Sequence, residues 1–394
     1  MKSDKTTPNV PTLRFPNYNG EWQKTVMGKV CSFRKGYGIA KDDLSSGGTP
    51  CILYGELYTT YKTAIAKTIK SKTSIQSKSL VYSQKDDVII PCSGETAEDI
   101  ATSICVPYDG VLLGGDLTIV HSDLDGAFLS NQINSVRKFD IARIAQGKSI
   151  VHLQADELKK IFIFYPSIQE QRKISAFIDK IDERIEIQNK IISKYETLIK
   201  GICFRLLSKI EEYPTVKLSE ILTEYCDKTS KNNEFPILSS TMSGIYVQSE
   251  YFNKQAASEE NVGYKKIPYG YCTYRSMSDT GEFRFNIQKT VQMGIVSPAY
   301  PVFTSTIYDI DFVAFYLNKS TRLRKQIIEA KEGGTRFALL FSKLSNLTIP
   351  KIAKQQQTKM IEIYHAFLRK EDIERDYLNK LREQKSYLLS KMFI

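Results

Sequence analysis

The stretch that decides the fold is Pro166–Leu206, PSIQEQRKISAFIDKIDERIEIQNKIISKYETLIKGICFRL. Between Pro166 and Gly201 it holds neither proline nor glycine, so a helix that opens at the proline meets no breaker. Apolar residues fall at alternating steps of four and three: Ile174, Ile178, Ile181, Ile185, then Ile192, Tyr195, Ile199, Ile202 and Leu206, with the polar Gln188 in the middle of the row. That spacing is a heptad seam. Lys180, Glu183, Arg184, Glu186 and Lys190 flank it and keep the outside solvated. A helix of about 40 residues spans roughly 60 Å and exceeds ordinary globular length, so its apolar row needs a partner.

The partner is in the same chain. From about Gln355 to the end a second row runs through Met360, Tyr364, Phe367, Glu371, Glu374, Leu378, Leu381, Lys385, Leu388 and Met392. Other landmarks recur in the same order. Glu21–Val30, EWQKTVMGKV, reads like Glu212–Ile221, EYPTVKLSEI. Pro166-Ser167-Ile168 followed by Gln171 has its counterpart in Pro350-Lys351-Ile352 followed by Gln355. The chain is therefore read as a tandem duplication of a variable globular part and a long helix, the two helices pairing as an antiparallel coiled coil. Such pairing would set the two globular parts near opposite ends of a ruler.

The globular parts read as α+β. Strand-like runs occur at Val88-Ile89-Ile90, Val111-Leu112-Leu113, Leu117–Val120, Gly294-Ile295-Val296 and from Ile307 onwards, and short helices fit 127–145 and 311–331. Asp156-Glu157 reads as a helix start leading into the long helix. The expected organisation is a first globular domain over 1–150, a first long-helix region over 151–212, a second globular domain over 213–349 and a second long-helix region over 350–394.

Composition narrows the function. Of 394 residues 42% are hydrophobic and 25% charged, which suits folded domains and excludes wholesale disorder. No run of about 18 apolar residues exists, and the opening MKSDKTTPNVPTLRF lacks the apolar core of a signal peptide, so a cytoplasmic protein without a membrane anchor is expected. The seven cysteines are scattered with no C-x-x-C pair, and His121, His152 and His365 show no ligand spacing, so no metal site is expected. No nucleophile elbow is present. The chain is expected to bind and position rather than to catalyse.

The net charge of +11 favours a polyanion. Leu57–Lys85 has no acidic residue but carries Lys62, Lys67, Lys70, Lys72, Lys78 and Lys85. The stretch 261–278 likewise lacks acid and holds Lys265, Lys266 and Arg275 among Tyr264, Tyr269, Tyr271 and Tyr274. Basic residues interleaved with hydroxyls and aromatics suit phosphate anchoring and base contacts.

Taken in order, these segments resemble the specificity (S) subunit of type I restriction–modification systems over essentially the whole chain. The resemblance is carried by Leu13-Arg14-Phe15-Pro16 with Gly20-Glu21-Trp22, by Pro166 with Glu170-Gln171-Arg172-Lys173-Ile174, by Ser93-Gly94-Glu95 after Asp86–Pro91, and by Gly294–Tyr300. It implies two target recognition domains that each read half of a split double-stranded DNA site, and paired helices that dock two modification subunits. S-adenosylmethionine, ATP and Mg would sit on partner subunits, two restriction subunits among them, and no cofactor in this chain. DNA contacts are then expected from Lys35, Tyr37, Lys70, Lys72, Ser93, Glu95 and Thr96 in the first domain. In the second they are expected from Tyr274, Arg275, Ser276, Arg284 and Arg336, with Arg275 the preferred base reader. The rival reading is a non-catalytic coiled-coil scaffold whose two heads bind proteins.

Overall fold

The computed structural model describes residues 9–147, 151–251, 260–330 and 337–394. Two compact units emerge, one comprising the chain up to Lys190 together with Arg375–Ile394, the other Ile191–Glu374. Each unit holds one mixed α+β part and a portion of both long helices, Ile168–Ser208 and Lys354–Met392. The units therefore group the four segments drawn from the sequence differently, because each long helix is shared between them.

In the first unit an antiparallel sheet runs in the order Cys31–Lys35, Leu117–Ser122, Asp87–Pro91, Ile104–Val106. Asp87–Pro91 is buried throughout, which is why Val88-Ile89-Ile90 is apolar without alternation. Val88 and Ile90 face the helices Gly126–Asn134 and Lys138–Ile144, packing with Leu129, Ile133 and Ile141. Ile89 faces the other way, with Ile52, Leu57, Leu113 and Ile119. A second sheet, Leu44–Ser45, Ser71–Thr73, Thr49–Ile52 and Leu112–Leu113, covers that side, its last pair being parallel.

The second unit repeats this plan with shorter strands. Its central sheet runs Thr223–Glu224, Val302–Thr304, Cys272–Thr273, Asn286–Ile287, the same order of equivalent strands. In both units a strand before the first one-turn helix pairs with the strand that precedes the long helix: Gln23–Val26 with Phe162–Tyr165, and Thr215–Lys217 with Thr348–Pro350.

Buried amides make the duplication explicit. Gln171 accepts from the Asp125 N–H at 3.0 Å and donates to the Pro166 carbonyl at 2.8 Å. Gln357 accepts from the Asp309 N–H at 2.8 Å and donates to the Ile352 carbonyl at 3.0 Å. Asp125 and Asp309 are the N-caps of Gly126–Asn134 and Ile310–Lys319. Asn134 and Asn318 in turn clamp both backbone groups of Ser103 and Phe285, the residues that lead into Ile104–Val106 and Asn286–Ile287. The structural counterpart of Gln171 is thus Gln357 rather than Gln355, which corrects the register expected for the second copy.

Other expectations also shift. The helices expected over 127–145 and 311–331 are each two helices, broken at Ser135–Arg137 and at Ser320. The strand expected from Ile307 does not form: Val302–Thr304 is the strand, and Asp309 caps a helix that begins at Ile310. Asp156-Glu157 belongs to a separate turn, Ala155–Leu158, parted from the long helix by Phe162–Tyr165. The first long helix passes through Gly201 to Ser208; a Cβ there would meet nothing, so the glycine serves no close approach.

Within the first unit, Ile174, Ile178 and Ile181 share one cluster with Leu388, Met392, Phe393 and Trp22, and Ile185 is packed at its margin. Asp182 pairs with Lys385 at 2.6 Å, and Arg184 donates to the Tyr377 hydroxyl at 2.6 Å. Rising numbers on one helix meet falling numbers on the other, so these portions are antiparallel. Leu378 and Leu381 are buried as well. In the second unit Ile192 and Ile199 are buried and Tyr195 half-buried. There the buried row continues through Cys203 and Leu207, whereas Ile202 and Leu206, expected on the seam, are half-buried. Ile199, Cys203 and Leu207 join Met360, Ile361 and Tyr364 together with Phe312, Phe315 and Tyr316 of Ile310–Lys319. Packing against a globular core as well as a helix follows steps of four instead of a strict heptad.

Candidate nucleic-acid interface

The basic runs separate into cations that are free and cations already used. Lys67 is held by Asp179 at 2.6 Å and Glu183 at 2.9 Å on the first long helix, and hydrogen bonds from Lys180 and then Lys67 hold the Glu183 carboxyl down at about 2. Lys265 and Lys266 pair with Glu224 and Glu234. Arg322 donates to the Glu211 carbonyl, and Arg324 pairs with Glu282. The acid-free runs in the sequence are therefore not free of acid in space.

In the first unit Lys35 and Tyr37 stand exposed at the end of Cys31–Lys35, Tyr37 with 58% of its surface in solvent. Gly36 between them allows that corner to form, because a Cβ would lie 2.0 Å from the Gly114 carbonyl oxygen. The Ser93 hydroxyl meets His152 Nδ1 at 3.2 Å. Lys70 and Lys72 are exposed on the other sheet, at Ser71–Thr73. Glu95 is exposed, while the Thr96 hydroxyl is engaged with Asp99 in capping the turn Ala97–Ile100.

In the second unit two expected contacts are structural. Tyr274 is fully buried; its hydroxyl donates to the Leu339 carbonyl at 2.9 Å and its ring packs 4.8 Å from Phe285. Burial drives its pKa upward. Ser276 is 4% exposed and donates to the Ala299 carbonyl at 2.6 Å. The correction has a simple cause: along 274–277 side chains alternate inward and outward, so Tyr274 and Ser276 point into the core while Arg275 and Met277 point out. Arg284 is half-buried with its Nε unpartnered among the described residues. Arg336 lies outside the described residues.

Sequence reasoning missed the ribbon Leu238–Thr241 with Gly244–Val247, joined by Met242-Ser243. Its signal was the Ser243-Gly244 turn dipeptide, since Leu238-Ser239-Ser240-Thr241 carries no apolar alternation of its own. The ribbon borders a cleft of about 400 Å³ with Arg275, Ser278, Asp279, Thr280 and Arg284. Among the described residues no group of three or more His, Cys, Asp or Glu is placed to hold a metal ion, and no helix is long and apolar enough to cross a membrane.

Two copies of one mixed sheet, each continued by a long helix, define a duplicated architecture. Residues 19–197 match the family model described as "Type I restriction modification DNA specificity domain". The whole fold is similar to that of a type I restriction–modification S subunit from M. genitalium, at 17% identity and a TM-score of 0.60 over 98% of this chain and 99% of that one. A second structure, from work on assembly and conformational transition of the type I system, matches at 15% identity and a TM-score of 0.59 over 94% and 97%.

Proposed function

We propose that the chain is the DNA-recognition subunit of a type I restriction–modification complex, each mixed part reading one half of a split double-stranded target. The observation that carries this is the duplication: equivalent sheets, N-caps and amide clasps hold two heads of one plan whose exposed side chains differ. A scaffold needs no such invariant frame beneath divergent surfaces. Lys35, Lys70, Lys72 and Arg275, which make no ion pair among the described residues, supply sequence-independent phosphate attraction and, for an arginine, a base-reading fork. Methyl transfer, with S-adenosylmethionine, belongs to two modification subunits docked on the helices; ATP and Mg belong with two restriction subunits. This chain contributes no catalytic group. Its role is to hold the methyltransferase at a chosen site.

The test is binding by the assembled complex of this chain with its modification subunits. Titration of labelled duplexes should give tight, salt-dependent binding to one bipartite sequence and weak binding to scrambled duplexes. Equal affinity for all duplexes, or none, favours the scaffold reading.

A further inference from the structure

The second unit contains a cleft whose chemistry is more specific than general DNA affinity. Its floor is rigid. Asn286 donates to Ser240 Oγ at 2.9 Å and to the Thr241 carbonyl at 2.8 Å, tying the ribbon 238–247 to the central sheet. Leu238 lies against Gly294, where a Cβ would come within 2.3 Å of its Cδ1, so any larger residue would push the Leu238 side chain from this seat. Facing the ribbon, Met277–Ser278 is fixed by pairing with Phe337–Ala338. Two arginines open into the space between. Arg275 is exposed and, among the described residues, makes no hydrogen bond or ion pair, although Asp279 and Glu282 line the same cleft. Arg284 is half-buried with Nε unpartnered among those residues. Nearby Glu282 is committed to Arg324.

A guanidinium left without a partner beside carboxylates, on a fixed frame, is set for an external pair of acceptors. A two-stranded ribbon has the width of the DNA major groove, where guanine alone shows two acceptors, N7 and O6, side by side. Resting on the DNA-recognition reading above, we infer that the ribbon 238–247 enters the major groove and that Arg275 reads a guanine in the half-site of the second unit. Arg284, recessed in the same cleft, takes the adjoining phosphate. The equivalent position of the first unit carries no such fork: Ser93–Gly94 pairs with Val151–His152 as Met277–Ser278 pairs with Phe337–Ala338, and two residues before Ser93 stands the buried Pro91. A guanine contact made from this position therefore belongs to one half-site only.

The experiment is sequencing of methyladenine in a host free of endogenous adenine methylation, expressing the full chain with its modification subunits. The chain should confer a split motif with a guanine in one half. In Arg275→Ala that position becomes degenerate, its discrimination falling about 5- to 150-fold, the span of a lost bidentate pair, while the other half stays unchanged. Arg275→Gln should shift preference at the same position towards adenine, and Arg284→Ala should lower methylation at all sites without altering the motif. A chain-dependent motif unaltered by both Arg275 variants overturns the assignment of the cleft alone. Equal loss at every site in both variants, with assembly of the complex intact, overturns it too. No chain-dependent motif in the wild type overturns the DNA-recognition reading along with it.

Discussion

At the scale of single residues, the molecule separates side chains that hold from side chains that are offered. Arg14 grips Glu170 through both carboxylate oxygens, at 2.7 and 2.8 Å, and Glu170 is almost wholly buried. That pair explains why Leu13–Pro16 and Glu170-Gln171, 156 positions apart, belong to one pattern. Arg14→Ala leaves a buried carboxylate without its counter-ion and should cost about 3 kcal/mol, read as a lowered unfolding midpoint in denaturant. Tyr274→Phe removes one buried hydrogen bond and should cost about 1 kcal/mol with the methylated sequence unchanged. A changed motif in Tyr274→Phe would return that tyrosine to the DNA surface. Residue roles were the least legible part of the sequence. Tyr274, Arg275 and Ser276 are adjacent and chemically plausible alike; only the alternation of a strand-like segment sends one out and two in, and its phase is set by the core around Phe285 and Phe303.

At the scale of elements, the long helices were the most legible feature because their apolar spacing is a local property of the chain. Ile174, Ile178 and Ile181 are buried with Leu388 and Met392, whereas Ile187, off that row, is 56% exposed. Ile178→Ala should cost about 2–5 kcal/mol, and Ile187→Ala less than about 0.5, in parallel thermal melts. What the spacing could not give was the change of step after Ile199, since Cys203 and Leu207 are chosen by Phe312 and Tyr364 from elsewhere in the chain. The short strands were similarly hidden: pairs as brief as Cys272–Thr273 carry no periodicity of their own. Between the helices, burial raises the Asp182 carboxyl above its ordinary range, with Lys385 opposing. A raised folded pKa means the native state binds more protons, so this group's contribution falls as pH rises through that value. The stability of wild type relative to Asp182→Asn should therefore decline as pH rises above the ordinary carboxylate range; a difference that grows there would contradict the burial.

At the scale of the whole molecule, the charge excess was legible but its distribution was not, because Lys67, Lys265 and Lys266 find their acids only after folding. Lys70 and Lys72 are left in solvent. Lys70→Ala should weaken binding to all duplexes alike and reduce the slope of log affinity against log salt by about 1, leaving the motif intact. In the proposed function, the duplicated frame is what lets one chain read two unlike half-sites. That claim is tested most directly by mapping methyladenine across a genome with and without this gene, its modification subunits being expressed in both. The account predicts a single split motif that loses methylation when the gene is removed. A motif that persists without the gene, or none that depends on it, would contradict the account.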